Sequence, residues 1–265
     1  VHVDTAARRD HSRCRDDANE LRPIESMSKR LLIFDCDGVL VDSECLATDV
    51  LLDDIRAAGA KIDDHTAYTR FLGRSDETVF GILRDEFDVS FTRSEIALMQ
   101  EHLNARLRSE LCPIAGVVDA LNSIDQRVCV ASSSQPERIR LSLSATGLLG
   151  HFEPHIYSAS MVANGKPAPD LFLHAAAAVG AAPEHCIVIE DSPAGIRAAQ
   201  SAGMTVLAYH GGSHAALSNL ETTVKALQPD ACFDDMRALP DLIAEIAMRA
   251  RNSDSAATVA AKETG

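Results

Sequence analysis

Three carboxylates, Asp35, Asp37 and Asp42, fall within eight residues of the segment FDCDGVLVDS, directly after the apolar run Leu31-Leu32-Ile33. Like charges this close repel and resist burial. Other polar clusters end other apolar runs. Val128-Cys129-Val130-Ala131 leads into Ser132, Ser133 and Ser134, and Ile187-Val188-Ile189 leads into Glu190 and Asp191. Lys166 lies in the loop ANGKPAPD, just before a helical run. In an open parallel sheet, ligands bind beyond the carboxyl ends of the strands. Convergence there would gather carboxylates around a cation, a hydroxyl and a fixed ammonium.

That set has a definite chemistry. A divalent cation relieves the repulsion among Asp35, Glu190 and Asp191, and all-oxygen ligation favours Mg²⁺ over zinc. The cation also draws in a phosphate. Asp35 can keep one oxygen free as a nucleophile toward phosphorus, so that an aspartyl-phosphate divides a hard hydrolysis into two easier steps. With a turn at Gly38, Asp37 faces the leaving-group oxygen and serves as general acid, then as general base on water. Cys36, between the two, points to the opposite side of an extended backbone and reads as packing.

The elements that must position these groups alternate. Strands are expected at LLIFD, RVCVASSS, HIYSA, CIVIEDS, TVLAY and ACFDD. Helices are expected at VVDALNSI, PERIRLSLSATG, PDLFLHAAAAVG, PAGIRAAQSAG and LPDLIAEIAMRA. Ser192 reads as an N-cap with Pro193 at the first helical position and Gly203 just past the end; Pro136 and Gly147 bracket another helix. This is an α/β protein with a doubly wound, Rossmann-like parallel sheet. Residues 44–111 differ, reading as four successive amphipathic helices with no strand. The expected organisation is a disordered leader at 1–27, an α/β core at 28–43 and 112–250, a helical insertion at 44–111, and a disordered tail at 251–265. Met27 opens MSKRLLIFDCDG, a natural beginning for a strand-first domain.

The 265 residues carry a net charge of −14, which argues against non-specific binding to nucleic acid or an anionic membrane. Hydrophobic content of 46% allows a sizeable core, while aromatics at 4% leave Ala and Leu to fill it. The seven cysteines are scattered, odd in number and lack a C-x-x-C pair, as for buried thiols in a reducing cytoplasm. No apolar run is long enough to span a membrane. A monomer or homodimer acting on a small phosphorylated metabolite fits these features.

DCDGV at 35–39, ASSS at 131–134, GKPAPD at 165–170 and IEDSPAG at 189–195 resemble, in order and spacing, the four motifs of the haloacid dehalogenase superfamily. Residues 44–111 resemble the small helical cap inserted after the first motif. The resemblance implies that Asp35 is nucleophile and Mg²⁺ ligand, and that Asp37 is acid/base and ligates the metal through its carbonyl. It implies that Ser132 hydrogen-bonds the phosphoryl group with help from the Ser133 backbone, and that Lys166 balances charge. Asp191 binds the metal, and Glu190 binds it directly or through water. Dehalogenating members lack an equivalent of Asp37, so a phosphoryl-transfer enzyme is implied.

The loop RFLGRSDETV resembles the cap loop that reaches over the site; Gly73 would permit close approach and Arg74 would bind a second anionic or hydroxyl-rich group. Related beta-phosphoglucomutases grip a second phosphate with a Lys and an Arg where this chain has Leu72 and Asp76. Their hinge His corresponds to Ala47, and their Lys-Asn pair to Gln135-Pro136. A phosphatase for a small sugar phosphate, sugar-acid phosphate or polyol phosphate is the leading expectation. A phosphosugar mutase and a non-catalytic phospho-ligand binding protein are the alternatives. Ser133 and Ser134 are either substrate contacts or plain loop groups. Asp42 and Ser43 either cap the first inserted helix or serve the site, and His210 to His214 read as a flexible turn.

Overall fold

A computed structural model describes residues 30–72 and 76–249. Six strands form one parallel sheet: β1 (Leu31–Phe34), β2 (Arg127–Ser132), β3 (Ile156–Ser158), β4 (Cys186–Glu190), β5 (Thr205–Tyr209) and β6 (Ala231–Phe233), in the order β3-β2-β1-β4-β5-β6. All six lie where the sequence implies them. The inserted helices are α1 (Glu44–Ala57), α2 (Asp64–Arg70), α3 (Asp76–Phe87) and α4 (Arg93–Glu110). The remaining helices are α5 (Val117–Ser123), α6 (Pro136–Ala145), α7 (Leu149–Phe152), α8 (Asp170–Val179), α9 (Pro193–Ser201), α10 (Leu220–Lys225) and a closing α11 at residues 239–249. The short helices α7 and α10 are additions to the sequence reading; runs of four and six residues carry too little periodicity to stand out.

Strand β1 is buried on both faces, which is why it reads as an unbroken apolar run. Leu32, Phe34 and Cys36 join a core with Val117, Ile139, Leu143, Phe152 and Ile243 from α5, α6, α7 and α11. Leu31 and Ile33 face the other way, into a core with Phe172, Ala175, Ile196 and Val224 from α8, α9 and α10. Cys36 is thus a packing residue, fully buried in the first core. A third cluster, Leu52, Ile55, Ile62, Phe71, Val79 and Leu83, lies within the inserted helices alone. That separate core is the physical basis for expecting them to form their own unit.

Two linkers run side by side between the inserted helices and the sheet. Asp42 N donates to the Cys112 carbonyl at 3.0 Å, and Ile114 N donates to the Leu40 carbonyl at 3.0 Å. Helix α4 starts with a reciprocal capping box between Thr92 and Glu95 and packs against both α1 and α6. Its Leu107 reaches the first core. In α9, Ser192 accepts from Gly195 N, Pro193 opens the first turn and Gly203 follows at φ +71°, as the sequence implies. The 1–27 leader, the 251–265 tail, Gly73 and Arg74 lie outside the described residues.

Candidate active site

Strand order reverses between β1 and β4, and that crevice is where an open α/β sheet binds ligand. Their register pairs Phe34 with Ile189, so Asp35 and Glu190 leave the sheet side by side. Asp35 N donates to the Ile189 carbonyl at 3.0 Å, which continues the ladder one step beyond β1. Carboxylate oxygens of Asp35, Glu190 and Asp191 lie within 4.8 Å of one another, and all three residues are buried. Lys166 reaches between them, donating to Asp35 Oδ1 at 2.9 Å and Glu190 Oε1 at 2.7 Å. The Phe172 ring lies 5.0 Å below its ammonium.

Close backbone approaches make this packing possible. A Cβ on Gly195 would sit 1.7 Å from Glu190 Oε1, and one on Gly38 would sit 2.0 Å from Asp191 Oδ2. Gly38 has φ +79°, confirming the turn expected after Asp37. Ser192 donates through its backbone N and Oγ to Glu190 Oε2 at 2.7 and 2.9 Å.

The electrostatics are those of a site short of positive charge. Burial raises the Asp35 pKa well above its ordinary value; Lys166 opposes this, while Glu190 and Asp191 add to it. Burial also raises Asp191, with Glu190 reinforcing and His214 opposing. For Lys166, burial works against the charged form, but Asp35 and Glu190 outweigh it and hold the pKa above the usual lysine value. One ammonium faces three carboxylates. An all-oxygen, buried, anionic donor set of this kind fits Mg²⁺.

Asp37 stands beside this cluster with both oxygens engaged. Ser43 Oγ donates to Oδ1 and Ser134 Oγ to Oδ2, each at 2.7 Å, and the Arg138 guanidinium is 3.6 Å from Oδ1. Burial pushes the Asp37 pKa up, yet Arg138, Ser43 and Ser134 together bring it below the ordinary value. Ser132 is buried, and its Oγ accepts from Ser134 N at 3.1 Å. Ser133 is exposed at the loop. The structure therefore gathers Asp35, Lys166, Glu190 and Asp191 into one cluster and sets Asp37 and Ser134 beside it.

Several neighbours lie beyond the motif reading. Ser43 makes no capping bond to α1; its hydroxyl holds Asp37 instead. Asp42 accepts from Ser213 N and Oγ at 3.2 and 2.8 Å. His214, read as part of a flexible turn, is 3% exposed and lies 3.1 Å from Asp191 Oδ2. Arg138 was inconspicuous because a lone Arg in the first turn of a helix usually faces solvent. Burial, reinforced by Asp191 and Asp37, pushes the Glu44 carboxyl up to about 7. Ser158, fully buried at the end of β3, donates to the Ser134 carbonyl at 2.7 Å and steadies that loop.

Residues 29–203 match the haloacid dehalogenase-like hydrolase family. The chain is 30% identical to 6-phosphogluconate phosphatase of Escherichia coli over 69% of its own length and 83% of that protein. It is 29% identical to a phosphorylated carbohydrates phosphatase of Thermotoga maritima, covering 65% of this chain and 81% of that one. A conserved haloacid dehalogenase-like protein of unknown function from Agrobacterium tumefaciens superposes with a TM-score of 0.73 at 34% identity, over 83% of this chain and 99% of its own. The fold, the strand-end carboxylates and these likenesses agree: the chain belongs to the haloacid dehalogenase-like hydrolases.

Proposed function

We propose that the protein is a Mg²⁺-dependent phosphatase that hydrolyses a small phosphomonoester through an aspartyl-phosphate on Asp35. The observation that carries this reading is the buried meeting of Asp35, Glu190, Asp191 and Lys166, with Asp37 alongside. Asp35, Glu190, Asp191 and the Asp37 carbonyl would hold the cation, which when bound offsets negative charge on the phosphoryl oxygens. Lys166 favours the ionised form of Asp35 against the effect of burial, orients its carboxylate, and adds positive charge beside the phosphoryl group. Ser132, with the Ser133 backbone, hydrogen-bonds a phosphoryl oxygen; Ser133 and Ser134 border the bound ester.

In the first step an Asp35 oxygen attacks phosphorus and the bond from phosphorus to the ester oxygen breaks. Asp37 gives its proton to that oxygen, and the alcohol leaves. In the second step Asp37 takes a proton from water, the water oxygen attacks phosphorus, and the acyl–phosphate bond breaks to return Asp35 and release inorganic phosphate. For this, Asp37 must enter the first step protonated and therefore must leave its bonds to Ser43, Ser134 and Arg138. Movement of the inserted helices as a cap, with Gly73 and Arg74 closing over the substrate, would supply that rearrangement.

Substrates are sugar, sugar-acid or polyol phosphates, in line with the names of the relatives. The mutase alternative has no basic pair at Leu72 and Asp76 to hold a second phosphate, and Leu72 is buried. Retention of both Asp35 and Asp37 weighs against a purely binding role. Phosphate release from a panel of such esters, with and without Mg²⁺, tests the reading. Release should need Mg²⁺ and vanish in Asp35→Asn; conversion of a sugar 1-phosphate to its 6-phosphate without release would select the mutase.

A further inference from the structure

The family match ends at residue 203, before the loop His210-Gly211-Gly212-Ser213-His214. That loop is nevertheless built against the carboxylate cluster. The His214 side chain is 4% exposed, and its Nε2 lies 3.1 Å from Asp191 Oδ2. Two glycines make room for the ring: a Cβ on Gly38 would come within 3.2 Å of Cε1, and a Cβ on Gly212 within 2.7 Å of Nδ1. Nδ1 has no hydrogen-bond partner among the described residues, so the ring makes its hydrogen bond through Nε2 alone. Ser213 pins the loop from the other side through its two bonds to Asp42. A surface turn would have no need of a buried imidazole, a glycine berth and a second anchor.

We propose that His214 is a positioning residue for the metal centre: it holds Asp191 by Oδ2 and leaves the other carboxylate oxygen turned to the cation. The proposal rests on Asp35, Glu190 and Asp191 being that centre. Glu190 and Asp35 both repel Asp191, and its carboxylate occupies the space that the missing Cβ of Gly38 leaves at the turn. Without a donor on its far side, Asp191 would swing away, and its rotamer would have to be recovered each time metal bound. Outer partners of metal ligands act in this way, and their loss typically weakens metal affinity by about 10–100-fold.

The test is calorimetric titration of Mg²⁺ into substrate-free protein, with thermal unfolding of the metal-free forms as a second readout. His214→Ala should weaken Mg²⁺ binding by about 10–100-fold. His214→Gln, whose amide N–H reaches about as far as Nε2, should recover most of it. Equal affinity of His214→Ala and the parent protein would overturn the role, as would a Gln variant no tighter than Ala despite parental unfolding temperature. If the Ala variant does not fold, His214→Asn against His214→Gln decides. The shorter Asn amide falls short of Asp191, so equal affinities overturn the role and weaker binding by Asn supports it. A parent protein that takes up no Mg²⁺ refutes the metal centre itself, and this role with it; binding that ignores residue 214 refutes the role alone.

Discussion

Replacing Lys166 with Ala removes the ammonium that bridges Asp35 and Glu190, both of them buried. The two carboxylates would then face Asp191 within 4.8 Å with no cation among them. Removing one partner of a buried ion pair costs about 3–5 kcal/mol. At about 2–4 °C per kcal/mol, the metal-free variant should melt about 6–20 °C below the parent at pH 8. The deficit should shrink at pH 6, where the carboxylates can take up protons and shed their repulsion. Mg²⁺ should restore part of it, because a ligand that binds only the folded state stabilises it by mass action. Activity should stay about 100–1,000-fold low even when the fold is rescued, as for loss of one preorganised electrostatic donor. Differential scanning calorimetry with and without Mg²⁺, paired with phosphate release, measures both. A variant within about 2 °C of the parent at pH 8 without metal, well under the shift worked out above, would refute the electrostatic reasoning.

Asp37→Ala should lose turnover of alkyl phosphates while keeping a measurable rate on aryl phosphates, whose leaving groups need no proton; equal losses on both would deny proton donation. Gly195→Ala sits in the first turn of α9, where Ala normally stabilises a helix over Gly by about 1 kcal/mol. Here its Cβ would meet Glu190 Oε1 at 1.7 Å, so a loss of about 1–3 kcal/mol and weaker Mg²⁺ uptake are expected in denaturant titrations and calorimetry. Glu44 is raised from 4.5 to about 7 in the folded protein, so its contribution is full below the lower value and is lost as pH rises through the upper one. Metal-free protein should therefore lose up to about 3 kcal/mol between pH 5 and pH 8 from this group, and Glu44→Gln should flatten that slope in urea titrations. Ser43→Ala should free Asp37 of one donor, raise its pKa and move the alkaline limb of the kcat/KM pH profile to higher pH without unfolding the protein.

The sheet was legible because each strand is a short apolar run ending in polar residues, and the parallel pairing of β1 with β4 turns adjacency in register into adjacency of Asp35 and Glu190. Helices α6 and α9 were legible from their Pro and Gly punctuation. Arg138, Ser158 and His214 were not, because each acts through another residue instead of through a motif of its own, and Ser43 was legible only as either a helix cap or a site residue. Sequence shows that His210 and His214 make too few ligands for a metal; it does not show that an imidazole will lodge against a carboxylate 23 residues earlier in the chain. Ser43 follows Asp37 by six residues, a spacing that brings them together only because the chain doubles back through Gly38 and Val41.

The most direct test is to quench turnover in acid with Mg²⁺ present and map the protein by peptide mass spectrometry. A phosphoryl group on the peptide that contains Asp35, and on the Asp35 side chain within it, is expected. Turnover that leaves this peptide unmodified at every quench time, while Asp35→Asn protein still releases phosphate, would contradict the nucleophilic role of Asp35.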